Sequence, residues 1–259
     1  MRKLLFAFSA FLLLISCSSD DDSSSKNNPN GTRLTKSVLV FSSGSSSTSV
    51  YTYNGAQLSK ITDSSGDYVN YSYNAQGLIG SWQNYTAGGS LRNSGVLEYD
   101  SQDRIIHGQF YNANGSTSSL VYVYDDVEDK VTITIYEGAE LPANITRVDY
   151  VYFEDGEVIK KVATSPTETY DVTYGYEFDS MNNPNKSIPG FFAAFFYGSF
   201  GATNIGNAHN LSHITQTAQS QSSSYGYEFE YNAYGYPTVA TQVNQNGQPN
   251  GNFRYYYYE

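Results

Sequence analysis

Three histidines and two acidic runs are the side chains of this sequence whose spacing invites chemistry. His209 and His213 stand four apart in Asn207-Ala208-His209-Asn210-Leu211-Ser212-His213. On a helix that spacing puts both imidazoles on one side, where zinc can be held. No Glu follows His209, no third ligand lies nearby, and nothing argues for a regular helix. The segment therefore reads as a polar loop. His107 follows Ile105-Ile106 in a strand pattern and reads as half-buried filling. Asp125-Asp126-Val127-Glu128-Asp129 and Glu154-Asp155-Gly156-Glu157 could supply the paired carboxylates that glycoside hydrolysis needs about 5–10 Å apart. Both runs fall at turns between strands, where acids are ordinary, and neither has EF-hand spacing. No Gly-x-Ser-x-Gly elbow, P-loop or dinucleotide fingerprint occurs. The sequence names no catalytic residue, no metal ligand and no cofactor.

Cys17 is the single cysteine among 259 residues, so a disulfide framework is excluded. Met1-Arg2-Lys3 is cationic, and Leu4 to Ile15 is an apolar run too short to span a bilayer. Leu14-Ile15-Ser16-Cys17 then reads as a lipobox. Residues 1–16 are expected to be a lipoprotein signal peptide, and Cys17 the acylated first residue of the mature chain. Two or three acyl chains make a stable anchor where one would be marginal. Residues 17–32 have nothing to bury and read as a disordered acidic, Ser- and Asn-rich tether. Within the tether, Ser19-Asp20-Asp21-Asp22 resembles the acidic export signal of surface lipoproteins in Bacteroidota-type bacteria. That resemblance implies an outer-membrane, lipid-anchored protein facing the cell surface.

Charge narrows the partners. Lys plus Arg number 14 against 25 Asp plus Glu, a net charge of −11. Nucleic acid needs a basic footprint, and anionic lipid a polybasic patch; neither is present. The mixture of 26 Tyr, 22 Gly and one Trp favours strands.

The elements come from a repeat. Tyr73-Asn74-Ala75-Gln76-Gly77-Leu78-Ile79 runs aromatic, Asx, turn residues, Gly, apolar. Variants start at Tyr53, Tyr99, Phe153 and Tyr231, with weaker ones at Tyr124 and Phe178. Before each anchor the chain alternates. Tyr170, Val172, Tyr174, Tyr176 and Phe178 share one face, as do Tyr225, Tyr227, Phe229 and Tyr231. Period two marks a half-buried strand, and Asx with Gly supplies the turn. Roughly 10 residues per strand and turn predict some 13 to 16 antiparallel strands. One segment breaks the rhythm. Phe191, Phe192, Phe195, Phe196 and Phe200 lie near helical spacing after Pro189, which predicts a short helix plugging one face or end of the sheet. Tyr255 to Tyr258 has Tyr on both faces, so apolar company is expected on both.

The Tyr-Asp/Asn-x-x-Gly-x-Leu/Ile unit resembles the YD repeat of RHS-type proteins. The chain over residues 33–259 is similar to secreted Bacteroidota lipoproteins of unknown function with YD-like repeats. It carries their Asn183-Pro184 after a late anchor, the Phe-rich stretch, and the closing Tyr234-Gly235-Tyr236-Pro237-Thr238. About seven units are present, where RHS shells that enclose toxins have dozens. The expected fold is all-β: an antiparallel meander of hairpins forming a large curved sheet with one Phe-rich helix, its closure into a barrel left open. The expected role is a non-catalytic β-sheet surface for binding or adhesion, with a glycan or an envelope protein as partner. Two rivals stand beside it. A glycan-binding accessory of a polysaccharide-uptake system predicts exposed aromatics beside Asn and Asp, with Trp82, Tyr85 and Tyr111 as guesses. A glycoside hydrolase predicts two carboxylates facing each other across a cleft.

Overall fold

The computed structural model describes residues 32–168, 170–192, 207–219 and 221–259. The signal peptide, Cys17, and the Ser19, Asp20, Asp21 and Asp22 export signal lie outside the described residues, as does the Phe-rich stretch beyond Phe192. The strands are β1 Leu34–Val40, β2 Ser46–Asn54, β3 Gln57–Asp63, β4 Tyr68–Tyr73, β5 Ile79–Tyr85, β6 Leu91–Tyr99, β7 Ile105–Asn112 and β8 Thr117–Asp125. They continue as β9 Lys130–Glu137, β10 Ile145–Glu154, β11 Glu157–Thr164, β12 Val172–Asn182, β13 His209–Ala218, β14 Gln221–Tyr231, β15 Pro237–Asn244 and β16 Pro249–Tyr258.

Each strand pairs with its sequence neighbours, and β1 pairs with β16 to complete a closed antiparallel barrel of 16 strands. The expected curved sheet is thus corrected to a barrel. Left open, β1 and β16 would each expose a row of unpaired backbone groups, and closure removes both edges. The curvature comes from the repeat. In five hairpins the anchor aromatic sits opposite the aliphatic that opens the return strand: Tyr53 and Leu58, Tyr73 and Ile79, Tyr99 and Ile105, Phe153 and Val158, Tyr231 and Pro237. A register shift follows at each of these pairs. Such bulges bend the strand and sharpen its twist, and a recurring bulge bends the sheet the same way each time.

The Asx residue builds the turn. Asn74 Oδ1 accepts from the backbone N–H of Gln76 and Leu78 at 3.0 and 2.9 Å. Asp100 does the same for Gln102 and Arg104, and Asn232 for Tyr234 and Tyr236. The tyrosine does a second job. Its hydroxyl donates to the backbone carbonyl that opens the return strand of the neighbouring unit: Tyr53 to Leu34, Tyr99 to Ile79, Tyr124 to Ile105, Tyr258 to Pro237, at 2.7–2.9 Å. These four tyrosines thereby latch their units to a neighbouring one.

Barrels of 16 to 18 strands commonly hold an aqueous channel. Here the inner wall is apolar. Leu34, Leu58, Ile79, Ile105, Val131, Val158 and Pro237 are fully buried at the end of the barrel where the repeat turns lie. Leu97, Leu120, Tyr122, Ile133, Val151, Tyr176 and Ile214 continue the core. Trp82 lies on this inner wall against Gly95, whose added Cβ would stand 2.6 Å from the indole Nε1. The outer wall is polar, with Thr52, Gln83, Glu98, Lys160, Glu177, Gln216, Glu228 and Glu230 exposed. Apolar residues on it, such as Val96 and Val123, stand singly among them.

Tyr256 and Tyr258 point inward as the alternation requires, but Tyr255 and Tyr257 are 38% and 44% exposed. The expectation of apolar company on both faces fails because no described segment packs over the outer wall there. Lys36 Nζ lies 3.8 Å from the Tyr257 ring centroid instead.

Candidate functional site

The two ends of the barrel differ. At one end lie the repeat turns and both termini of the described chain. Arg33 and Glu259 exchange backbone hydrogen bonds there and pair through Arg33 Nη1 and Glu259 Oε1 at 3.2 Å. The long β12–β13 connection belongs to the same end. Its residues Asn183, Ile188 and Phe191 are buried. Gly190, at φ +74°, packs so closely on β5 that an added Cβ would sit 2.7 Å from the Ile79 nitrogen. Since β5 is far from β12 in strand order, the segment crosses the barrel end and plugs it.

Two carboxylates pin this plug. Glu157 Oε1 accepts from the backbone N–H of Ala208 and His209 at 2.7 and 2.8 Å, and Oε2 from Asn207 at 2.8 Å. Asp179 accepts from the N–H of Met181 and Asn210, from Asn210 Nδ2, and from the Tyr231 hydroxyl. By sequence Glu157 is an ordinary turn acid. In the fold it is buried and fastens the chain where it re-enters the sheet. The rest of that run, and Asp125 to Asp129, do sit at hairpin turns as expected.

Away from the plug the interior is not full. A cavity of about 180 Å³ runs between β1, β2 and β13–β16. Asn183, Pro184 and Asn185 of the plug form its floor, and Phe41 and Asn252 line it towards the opposite end. Its walls are aromatic: Tyr51, Tyr227, Phe229, Phe253 and Tyr256. Burial raises the Tyr51 and Tyr227 hydroxyls above their usual range and pushes Tyr256 up to about 12. Arg254 faces this space from β16, between Leu39 on β1 and Ala240 on β15 in register. Its guanidinium makes no ion pair or side-chain hydrogen bond with the described residues. Asn210 is 2% exposed; its Nδ2 is committed to Asp179, which leaves Oδ1 directed away and without a partner among the described residues. Asn185 Oδ1 is buried and likewise unpartnered there. Gln242 Oε1 accepts from Asn252 Nδ2 at 2.8 Å. No Asp or Glu among the described residues lines this cavity.

A second polar group sits on the inner wall of β10–β12. Arg147 Nε lies 2.8 Å from buried Asp149 Oδ1, and Lys161 Nζ lies 4.6 Å from the Tyr174 ring centroid. Burial lowers the Lys161 ammonium's pKa. Asp149 offsets the field of the two cations, so the group reads as structural.

The histidines do not meet. His209 opens β13 with Nδ1 3.3 Å from Glu157 Oε1, and His213 lies further along the same strand beside Gly226. The polar loop expected at His209–His213 is thus a strand, because Glu157 and the β12 ladder capture its backbone. His107 Nε2 is 2.7 Å from Glu140 on the outer wall. Among the described residues no group of three His, Cys, Asp or Glu could hold a metal. Of the aromatic guesses, Trp82 packs inside, Tyr85 stacks on Tyr68 at 5.0 Å, and Tyr111 is exposed. None lines the cavity. The alternation Asn252, Arg254, Tyr256, Tyr258 is the signal that could have found it, for it places one cation on the otherwise uncharged inner face of β16.

No protein-family model matches the chain, and comparison with curated proteins gives no match. Among solved structures, a porin-like protein from Bacteroides uniformis ATCC 8492 superposes with TM-score 0.57 at 15% identity. The match covers 89% of this chain and 99% of that one. A porin-like protein from Bacteroides vulgatus ATCC 8482 gives TM-score 0.47 at 11% identity over 88% and 99%. At such identity the first likeness shows a shared barrel fold and nothing more.

Proposed function

We propose that this chain is a lipid-anchored envelope protein whose barrel stands outside the bilayer as a non-catalytic binding module. The observation that carries this reading is the direction of its polarity. A membrane-spanning barrel turns an apolar band about 25 Å tall towards lipid and keeps a polar lumen. This barrel buries Leu, Ile, Val and Tyr inside and shows Thr, Gln, Glu and Lys outside. Membrane attachment then falls to Cys17, through a tether that joins the plugged end. The cavity sector extends from the plug towards the other end, where Phe41 and Asn252 line it. Cell-surface exposure follows from Ser19-Asp20-Asp21-Asp22 if they act as an export signal.

A hydrolase is the weaker reading, because the buried carboxylates Asp149 and Glu157 and the half-buried Asp179 are committed to Arg147, to backbone amides and to Tyr231.

The test replaces residues 1–17 with an ordinary cleavable secretory signal and follows the protein by fractionation. The expected outcome is a folded barrel released as a soluble protein, while the native chain needs detergent. Retention of the altered chain as an integral membrane protein would overturn the reading. Proteinase K on intact cells, compared with lysed cells, separates surface from periplasmic orientation for the native chain.

A further inference from the structure

We infer that the cavity between β1, β2 and β13–β16 binds a small hydroxylated carboxylic acid of about one sugar ring, with Arg254 taking the carboxylate. This deepens the reading of the barrel as a binding module and rests on it.

Three features of the cavity each select part of the ligand. The first is the guanidinium. Among the described residues the other arginines, Arg33, Arg92, Arg104 and Arg147, all pair with a carboxylate. Arg254, in a chain of net charge −11, faces an interior space without one. Arg254 is half-buried and borders that space, so an anion that enters can reach its charge. Its planar fork matches a carboxylate through two parallel hydrogen bonds.

The second feature is the orphan acceptors. Asn210 Oδ1 and Asn185 Oδ1 are buried with no partner among the described residues. The orientation of Asn210 is fixed by its Nδ2 bonds to Asp179. The floor and rim of the cavity carry amide side chains, Asn183, Asn185, Asn210, Gln242 and Asn252, a lining that suits a ligand bearing hydroxyls. A plain fatty or aromatic acid offers none there.

The third feature is the walls. Tyr51, Tyr227, Phe229 and Tyr256 present apolar surface between the cation and the amides. A ring with C–H groups on one face and hydroxyls on its rim satisfies walls and floor together. The volume of about 180 Å³ is small beside pockets for drug-sized ligands, so a single ring fits and an internal stretch of polymer does not. With no acid among the described lining residues, this is capture and not hydrolysis.

The experiment titrates the purified full chain in detergent with sodium glucuronate, glucose and sodium acetate by calorimetry. Arg254→Gln and Arg254→Lys variants are titrated in parallel, and circular dichroism confirms the fold of each. Glucuronate is expected to bind at least about tenfold more tightly than glucose or acetate. Arg254→Gln should lose at least about tenfold in affinity, and Arg254→Lys should fall between, keeping the charge without the fork. A short oligogalacturonide should bind no more tightly than galacturonate if one ring fills the site. Equal binding of glucose and glucuronate, unchanged binding by a folded Arg254→Gln, or no glucuronate binding by the folded native chain would each overturn the inference. Should Arg254→Gln fail to fold, the ligand series on the native chain and Arg254→Lys still decide it. A barrel that is released as a soluble protein yet ignores glucuronate keeps the proposed function and loses only this ligand. A barrel that integrates into membranes loses the function itself.

Discussion

The interior contains two layers built on different terms. At the plugged end, a ring of aliphatics from successive repeat units is fully buried, and Tyr53, Tyr99, Tyr124 and Tyr258 spend their hydroxyls on neighbouring carbonyls. Beside and above it, between β1, β2 and β13–β16, stand an unpaired guanidinium, two amide oxygens without donors and aromatic walls around open space. In the first layer four tyrosine hydroxyls are satisfied by one geometry repeated along the barrel. The second departs from the repeat and leaves polar groups waiting. Places where local rules fail while holding elsewhere are where functional or strained sites are expected.

The largest expected effect asks whether the two layers form one cooperative body. Burial raises the hydroxyl pKa of 13 tyrosines, from Tyr51 to Tyr258. Tyr73 in the repeat layer and Tyr256 beside the cavity are both pushed up to about 12. The unfolded chain ionises these groups near pH 10. Stability is therefore complete below about pH 10 and falls as pH climbs towards the folded values, because only the unfolded state releases its protons there. A single steep alkaline transition is expected, with tyrosinate absorbance and circular dichroism changing together. Two separated transitions would split the barrel into independent layers.

Next in size is truncation of the core. Ile79 is 0% exposed, and Gly190 of the plug packs on its backbone. Ile79→Ala should cost about 2–5 kcal/mol in denaturant unfolding, the range for a buried aliphatic whose surroundings cannot collapse. Leu39→Ala removes a side chain that already borders open space, and should cost about 1–2 kcal/mol. Equal costs would erase the distinction between a filled layer and an open one.

Much of the filled layer is legible in the sequence and little of the cavity is. Period-two alternation puts Tyr174, Tyr176 and Phe178 on one face, as it does Tyr227, Phe229 and Tyr231, and the structure turns both sets inward. The Asx-Gly spacing locates the hairpin turns, because local hydrogen bonds decide them. Closure is not legible, since it depends on Leu34–Val40 meeting Phe253–Tyr258, more than 200 residues away in sequence. Glu157 looks like any turn acid because the amides it binds, at Asn207 to His209, come from across the plug. Arg254 is hidden for a related reason. Its neighbours in sequence are aromatic, and only the register with Leu39 and Ala240 shows that no carboxylate stands beside it. Local chemistry is written in the chain, whereas the absence of a partner exists only once the walls are assembled.

The smallest effect sharpens the comparison most, since it removes a single oxygen from each layer. Tyr99 donates to the Ile79 carbonyl at 2.7 Å in a half-buried setting. Tyr99→Phe leaves that carbonyl without its donor, and the expected loss is about 1–2 kcal/mol. Tyr227 faces the cavity, where burial raises its pKa and no described residue bonds its hydroxyl. Tyr227→Phe should therefore be neutral within about 0.5 kcal/mol, as changes that remove no interaction are. Chemical unfolding of the two variants side by side reads the difference directly. A clear cost at Tyr227 would mean that its hydroxyl works for the fold, and the cavity wall would then be a second latch, not a surface kept for a ligand. Neutrality there beside a loss at Tyr99 would tie the repeat's tyrosines to assembly and leave the cavity's tyrosines free for recognition.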